Sequence, residues 1–377
     1  MKRLFIVIAA ATMLTAPLWG SGTGEEASGQ GHADDASAAG TGTHESIPAV
    51  TRITSGNERL TLVASTTIIA DVLSNIVADT AELTVLMDRG QNPHSYEPSP
   101  SALRTLEDAD IVFVNGLGLE EALMQEVHDI ATGYVVPVSA GIEPIAFGVD
   151  EADHDHDHET DHDHEADHET DHDHEADHDH EADHDHDDGH DHDHGEEDPH
   201  VWTDPTNIVV WVENMVSVLA AADPERESVY RENGTAYVEE LRELDRSIRD
   251  TVASLPSQRR KLVLDHASFG YFADEYGFEV VGAVVPSTSD RAEPSAQDVA
   301  QLVELIRREN VSTIFVGLTA SRGLERLAAT VADEVGNDVT ITTLLTGSLA
   351  EEGEPGDTYL GFMRYNVERI LEGLQAQ

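Results

Sequence analysis

The segment RLTLVASTTIIADVLSNIVADTAELTVLM, residues 59–87, decides the fold class. Its two ends, RLTLVAS and ELTVLM, are short runs rich in apolar and β-branched residues, a pattern typical of buried strands. Between them, TTIIADVLSNIVADT has the apolar periodicity of a helix. A strand, a helix and a second strand in this order predict a parallel βα unit.

The same alternation continues along the chain. Further strands are predicted at DIVFVN, YVVPVS, KLVLD, FEVVGAV, STIFVG and DVTITTLL, and further helices at SPSALRTLEDA, LEEALMQEVHDIA, SAQDVAQLVELIRREN and TYLGFMRYNVERILEGL. In the middle, PTNIVVWVENMVSVLAAA predicts one helix. A second helix is predicted from Pro224 to about Ser254, with Asp223 as N-cap and a length of ~45 Å at 1.5 Å per residue. We therefore expect an α/β fold with two lobes of parallel-sheet βα units, joined by one long rigid helix.

These patterns divide the chain into five regions. We assign residues 1–22 to a signal peptide, 23–57 to a flexible tether, 58–222 to an N-terminal α/β lobe, 223–255 to the linking helix and 256–377 to a C-terminal α/β lobe. The first region has a basic start, an apolar stretch too short for a membrane span, and small residues suited to cleavage. We expect export, with cleavage at Gly20 or Gly22; an uncleaved N-terminal anchor is the alternative.

Composition excludes several kinds of chemistry. The 377 residues contain no cysteine, which removes disulfides, thiolate metal sites, cysteine nucleophiles and the lipid-bearing cysteine of a lipoprotein. A formal net charge of -54 argues against binding to nucleic acid or anionic membranes, since both require a basic patch. Metal cations are the partners that suit this charge.

An acidic, His-rich segment at residues 150–197 interrupts the first lobe. It contains fifteen of the 21 histidines and no lysine or arginine. Alternating imidazole and carboxylate groups predict a disordered loop that binds several divalent ions weakly, and copper or nickel could bind as well as zinc. A merely solvated acidic loop is the alternative interpretation.

Three histidines remain outside this segment, the tether and the surface-like His128: His94, His200 and His266. Each follows or adjoins a predicted strand, which is where open α/β sheets place ligand sites. A single loop histidine is more often a hydrogen-bonded structural residue than a ligand. Three together in an exported acidic protein indicate a metal site, because three imidazoles with an open fourth position form a zinc shell.

Four motifs then resemble one known family. They are NPHSYEPSPSALRTLEDADIVFVNGLGLE (92–120), DPHVWTDPTN (198–207), DHASFGYFADEYGFEVVGAV (265–284) and GDTYLGFMRYNVERILEGL (356–374). In order and spacing they are similar to the zinc and manganese solute-binding proteins of bacterial ABC importers, and most of all to the ZnuA-like zinc branch, which has a His-rich loop at this place. The resemblance extends from Arg59 to nearly the C-terminus.

The resemblance implies a metal held in a cleft between the lobes by His94, His200 and His266. The manganese-preferring branch commonly has a carboxylate where this chain has His266, so zinc is the expected metal. It also implies a membrane ABC permease with its ATPase as the partner, a periplasmic or other extracytoplasmic location, and a monomeric receptor that is not an enzyme.

One position departs from the family pattern. Where many relatives have an aspartate as fourth ligand, this chain has Gly347 in TGS. The fourth position could be taken by water, by Glu120 or Asp357, or by a residue of the His-rich loop. We expect Gly347→Asp to slow zinc dissociation if its side chain fits, and a positive φ at this glycine is the foreseen obstacle.

Two neighbours of the histidines are interpreted as structural. Trp202 is expected to be a packing anchor, and Asp265 is expected not to hydrogen-bond with His266, since adjacent strand residues point to opposite faces.

Other functions remain open at this point. A zinc hydrolase could use the same three-histidine shell, but no HExxH pair or nucleophile elbow is evident. A surface adhesin or zinc buffer is the third class.

Overall fold

The computed structural model describes residues 46–146, 197–285, 294–336 and 339–375. The predicted signal peptide, the first part of the tether and the His-rich segment up to residue 196 lie outside the described residues.

The first lobe is built on a four-stranded parallel sheet. Its strands are β1 (Thr61–Ala64), β2 (Glu82–Val85), β3 (Ile111–Val114) and β4 (Tyr134–Pro137), and its connecting helices are α1 (Thr67–Val77), α2 (Pro100–Glu107) and α3 (Glu121–Ile130). The strand order is β2-β1-β3-β4, with every neighbouring pair parallel. Thr66 caps α1 by accepting a hydrogen bond from Ile69 N, and β3 is buried along its whole length.

The base of the His-rich segment is tied at two adjacent points. Ala146 and Glu197 form an antiparallel bridge, and Asp198 N donates to Ile145 O at 2.9 Å. The chain therefore re-enters the described fold where it left, two residues before His200.

Two helices follow this re-entry, α4 (Pro205–Ala222) and α5 (Glu227–Val252). By length and hydropathy, α4 alone among the described helices could cross a membrane. Its residues Trp211, Met215 and Leu219 are buried in the protein core, as in a core helix of a water-exposed fold. Its composition is therefore explained by packing.

The long helix begins three residues later than the sequence predicts. Its N-cap is Arg226 rather than Asp223, and its 26 residues span about 39 Å. Asp223 instead ends α4, and its carboxylate accepts hydrogen bonds from Thr54 Oγ1 at 2.8 Å, Tyr230 OH at 2.9 Å and Arg226 at 2.6 Å. Because these three partners occupy the carboxylate of Asp223, it does not cap α5.

The second lobe repeats the architecture of the first. Its strands are β5 (Lys261–His266), β6 (Glu279–Val285), β7 (Thr313–Gly317) and β8 (Thr340–Leu344), and its helices are α6 (Gly270–Tyr276), α7 (Ala296–Glu309), α8 (Arg322–Val335) and α9 (Tyr359–Gln375). The order β6-β5-β7-β8 is again all parallel. All eight predicted strands are confirmed, whereas α6 and α8 were not predicted. The α/β class with two lobes is thus confirmed.

One apolar cluster runs through both lobes. It joins Leu62 and Phe113 of the first sheet, Leu241 and Ile248 of α5, and Phe362 of α9. The helix α5 packs against α1 and α4 on one side and α9 on the other. Because this core is continuous, the two lobes are held in a defined relation to each other.

A buried amide fixes the end of β8. Asn366 on α9 accepts a hydrogen bond from Leu345 N and donates one to Leu345 O, each at 2.8 Å. Leu345 immediately follows β8 and is two residues before Gly347, so this amide holds the segment that leads to the cleft.

We expect Asn366→Ala to reduce the free energy of unfolding by about 3 kcal/mol, because two buried backbone groups of Leu345 would lose their partners. Urea unfolding measures the loss. Asn75→Ala is the matched control: Asn75 is exposed and bonds only to Asp71 O of its own helix, so the expected change is below about 1 kcal/mol. Equal losses in both variants would contradict this role for Asn366.

Candidate metal site

Three segments bring the three candidate histidines to one place between the lobes. His94 lies in a 3-10 turn, Pro93–Ser95, that follows β2; His200 directly precedes another, Val201–Thr203; His266 is the last residue of β5. One potential ligand atom from each of the three lies within 4.8 Å of the others. The ring centroids are 5.0 Å apart for His94 and His200, 5.2 Å for His200 and His266, and 5.8 Å for His94 and His266.

In two imidazoles of this cluster, those of His94 and His200, the surroundings favour the neutral form. Burial, reinforced by the two neighbouring imidazoles, holds the pKa of His94 well below its ordinary value. Burial also lowers the pKa of His200, even though Asp198 works in the opposite direction. A neutral imidazole keeps a lone pair on one ring nitrogen, which is the form that ligates a metal.

Two of the three rings are each oriented by a carboxylate of their own. Asp198 Oδ1 lies 2.7 Å from His200 Nδ1, and Asp265 Oδ1 lies 3.0 Å from His266 Nδ1. Because a carboxylate only accepts, each Nδ1 donates and each Nε2 is left with its lone pair. His200 Nε2 faces His94 Nε2 at 3.0 Å, a separation that requires a shared proton or cation between the two nitrogens.

The contact between Asp265 and His266 corrects a sequence expectation. The side chain of Asp265 turns back along its own backbone, where Oδ1 also accepts from His266 N at 2.8 Å, and Oδ2 accepts from Gly317 N at 2.8 Å. Although burial acts to raise it, the pKa of Asp265 is lowered by His266 and these N–H groups. The alternation of side chains failed as a guide because β5 ends at this point.

The role of Asp198 was not predicted from the sequence. Its Oδ1 accepts from His200 N at 2.9 Å as well as from the ring. Aspartate commonly bonds to the backbone two residues ahead, so the Asp-Pro-His order was the available signal. Trp202, interpreted as a packing anchor, is buried, and its Nε1 donates to Thr346 O at 2.9 Å across the cleft.

Gly347 lies against the turn that carries His94. A Cβ placed on Gly347 would lie 2.6 Å from Pro93 Cδ and 3.1 Å from its Cγ. The φ of this glycine is not positive, so the foreseen backbone obstacle is absent. The condition placed on Gly347→Asp, that its side chain fits, is not met for a different reason, because the proline ring occupies the space of the new side chain.

The two candidate carboxylates lie outside the histidine cluster. Glu120 Oε1 accepts from Ser65 Oγ at 2.6 Å and from Asn115 N at 2.9 Å. Asp357 Oδ2 accepts from Gly353 N at 2.9 Å. Within the described residues, the cluster that could hold a metal consists of the three imidazoles.

Glu120 is nevertheless an unusual group. Its side chain is buried, and its second oxygen, Oε2, has no hydrogen-bond partner among the described residues. Burial raises its pKa from 4.5 to about 6, against the opposing effect of its hydrogen bonds. Glu120 therefore keeps its proton up to a higher pH in the folded protein than in the unfolded chain.

We expect the stability of the metal-free protein to fall as pH rises from 4.5 to about 6 because of Glu120. The folded pKa lies above the unfolded one, so the contribution is fully present below pH 4.5 and is lost above about 6, a change of about 2 kcal/mol. Glu120→Gln should remove this part of the pH profile, measured by urea unfolding with chelator present. The exposed Glu121→Gln is the control; identical profiles for Glu120→Gln and wild type would contradict the assignment.

The comparisons with known proteins agree with this architecture. Residues 62–373 match the family described as zinc-uptake complex component A periplasmic. The manganese-binding lipoprotein MntA of Halalkalibacterium halodurans is 28% identical over 317 residues, covering 84% of this chain and 89% of that protein. The metal ABC transporter substrate-binding lipoprotein ScbA of Streptococcus cristatus is 29% identical over 327 residues, covering 85% and 90%.

A solved structure shares the two-lobed fold. The periplasmic zinc binding protein TroA from Treponema pallidum is 26% identical, with a TM-score of 0.67, and the match covers 84% of this chain and 99% of that one. These relatives are named for binding a metal or a transported substrate, and not for catalysing a reaction. The resemblance seen in the four sequence motifs is thereby confirmed, and the chain belongs to the zinc-uptake complex component A periplasmic family.

Proposed function

We propose that this protein is an exported receptor that binds Zn²⁺ through His94, His200 and His266 and delivers it to a membrane ABC permease with its ATPase. The observation that carries the proposal is the convergence of three imidazoles from both lobes, two of them oriented by carboxylates. The ion is cargo, so the site has to hold it firmly and still let it go.

The choice of zinc rests on the donor set and its spacing. Nitrogen donors suit zinc, whereas manganese favours carboxylate and water oxygens. A zinc ion about 2.1 Å from each nitrogen, in tetrahedral directions, would separate the ring centroids by about 5.2 Å. The separations of 5.0, 5.2 and 5.8 Å lie close to this value. The relative MntA is named for manganese and TroA for zinc, so the names alone do not decide the metal.

Water is the fourth ligand in this proposal. Glu120 and Asp357 lie outside the histidine cluster, where one oxygen of each accepts a backbone hydrogen bond. Gly347 offers no side chain. Three neutral imidazoles leave the ion its full double charge, while a carboxylate would reduce that charge and bind the ion more strongly in a buried cleft. An imidazole shell with water therefore favours release to the permease.

The proposed location is extracytoplasmic, reached through the N-terminal signal. Relatives such as MntA and ScbA are named lipoproteins. This sequence contains no cysteine. We propose that the protein acts as a monomer in the periplasm or elsewhere outside the cytoplasm.

The His-rich segment is proposed to capture metal for the cleft. Its fifteen histidines alternate with acids, and two described residues on either side of them, Ala146 and Glu197, are bridged next to Asp198, which orients His200. Ions collected there would be released a short distance from the cluster. The histidines of the segment are interchangeable, whereas His200 is individually required.

Alanine at His94, His200 or His266 should weaken zinc binding at least about 100-fold, more than the loss of an orienting residue causes, because each supplies a bond to the ion. Calorimetry with zinc and, separately, with manganese measures this, and wild type should prefer zinc. His128→Ala is the matched control, since His128 is exposed on α3. Tight zinc binding retained by all three variants would rule out this site, and a preference for manganese would rule out the proposed cargo.

Deleting residues 151–196 should leave one tight zinc site and remove several weak ones. The weak binding of the full-length protein should fall between pH 7 and 5.5, because imidazoles titrate near pH ~6.5 and protons compete for the same nitrogens. Equilibrium dialysis at both pH values counts the bound ions. Loss of the tight site in the deletion variant would show instead that the segment supplies an essential ligand.

A further inference from the structure

Next to the three histidines, the first lobe contacts the second at a glycine, a residue without a side chain. Gly347 follows β8 in the second lobe, and the ring of Pro93, which directly precedes His94, packs against it. A Cβ at position 347 would come within 2.6 Å of Pro93 Cδ, whereas favourable carbon–carbon contacts lie at about 3.5–4.0 Å. Any side chain here would push the two segments apart.

A second contact of the same kind lies beside His200. A Cβ on Gly270, at the start of α6, would lie 2.6 Å from Asp198 Oδ2 and 3.0 Å from Ile145 Cδ1. Asp198 is held in place by two hydrogen bonds to His200, and Tyr271 OH donates to Asp198 O at 2.9 Å. Both histidine-bearing segments of the first lobe thus rest on glycines of the second.

We propose that Gly347 and Gly270 determine how tightly the cleft retains its ion, by letting the lobes close until three imidazoles reach it. This inference rests on the proposed function. Metal–ligand bonds tolerate errors of only about 0.2 Å, while relief of the Pro93 contact needs a displacement of roughly 1 Å. A proline ring cannot rotate away as a long side chain can, so the displacement passes to His94.

The test is Gly347→Ala, measured by zinc affinity and zinc dissociation rate in chelator competition. We expect binding about tenfold weaker or more, with faster dissociation, because overpacking a tight contact has that cost. Gly323→Ala is the matched control: it lies in the same lobe, has an ordinary φ and meets only Ser321 Oγ at 3.5 Å. Its zinc affinity should stay within about twofold of wild type.

Removing the opposing ring should rescue the variant. Pro93→Ala deletes Cγ and Cδ, the two atoms that position 347 meets. In the Pro93→Ala background, the added Gly347→Ala change should weaken zinc binding by less than about threefold, the mark of two coupled residues. Gly270→Ala should independently speed zinc dissociation, with thermal unfolding of the metal-free protein confirming that each variant is folded.

Two results would overturn the inference: unchanged zinc affinity in Gly347→Ala, or the same loss with and without Pro93. Either result, obtained alongside loss of zinc binding in His94→Ala, would leave the proposed function intact. Absence of tight zinc binding in the wild type would instead overturn the proposed function, and this inference with it.

Discussion

The cluster of three histidines depends on the apolar packing of α5 against both lobes. The three histidines come from segments far apart in sequence, so their mutual distances are set by how the lobes are held. Leu241 and Ile248 of α5 belong to the same buried cluster as Leu62 of the first sheet and Phe362 of α9. A core of this kind resists sliding, because close-packed side chains leave no alternative arrangement of similar energy. The continuous core therefore fixes the relative positions of the segments that carry the imidazoles.

Orientation is added to this placement by local hydrogen bonds. Asp198 and Asp265 each hold one imidazole by Nδ1, so the nitrogens that face the cleft keep their lone pairs. His94 is held differently, by its position on a short turn whose proline rests on Gly347. Two of the three imidazoles are thus oriented by electrostatics, and the third is placed by steric contact between the lobes.

The strands and the three histidines could be predicted from the sequence because short stretches of residues are enough to identify them. Short apolar, β-branched runs identified all eight strands, and the scarcity of histidines outside the acidic segment singled out His94, His200 and His266. His94 follows β2 and His266 ends β5, so the parallel strands place these two residues at the carboxyl edges of their sheets.

The remaining features depend on contacts that no local pattern encodes. Asp223 satisfies every rule for a helix N-cap, yet Thr54 and Tyr230, on other elements, take its carboxylate. The α6 segment is seven residues long and rich in aromatic residues, so it offered no clear amphipathic period. In the sequence, Gly347 stands where many relatives have a ligating aspartate. Only the structure shows that Pro93 fills the space that a side chain at this position would need.

The antiparallel bridge between Ala146 and Glu197 has an evolutionary consequence. Since the two residues are neighbours in space, the rest of the fold places no requirement on the number of residues between them, and the entropy of closing such a loop rises only slowly with its length. Repeats of the DHDHEA type can thus be gained or lost by slippage of the gene without moving Asp198 or His200. The number of imidazoles in the segment and the geometry of the histidine cluster can then be selected independently, the first through repeat number and the second through the packing of the cleft.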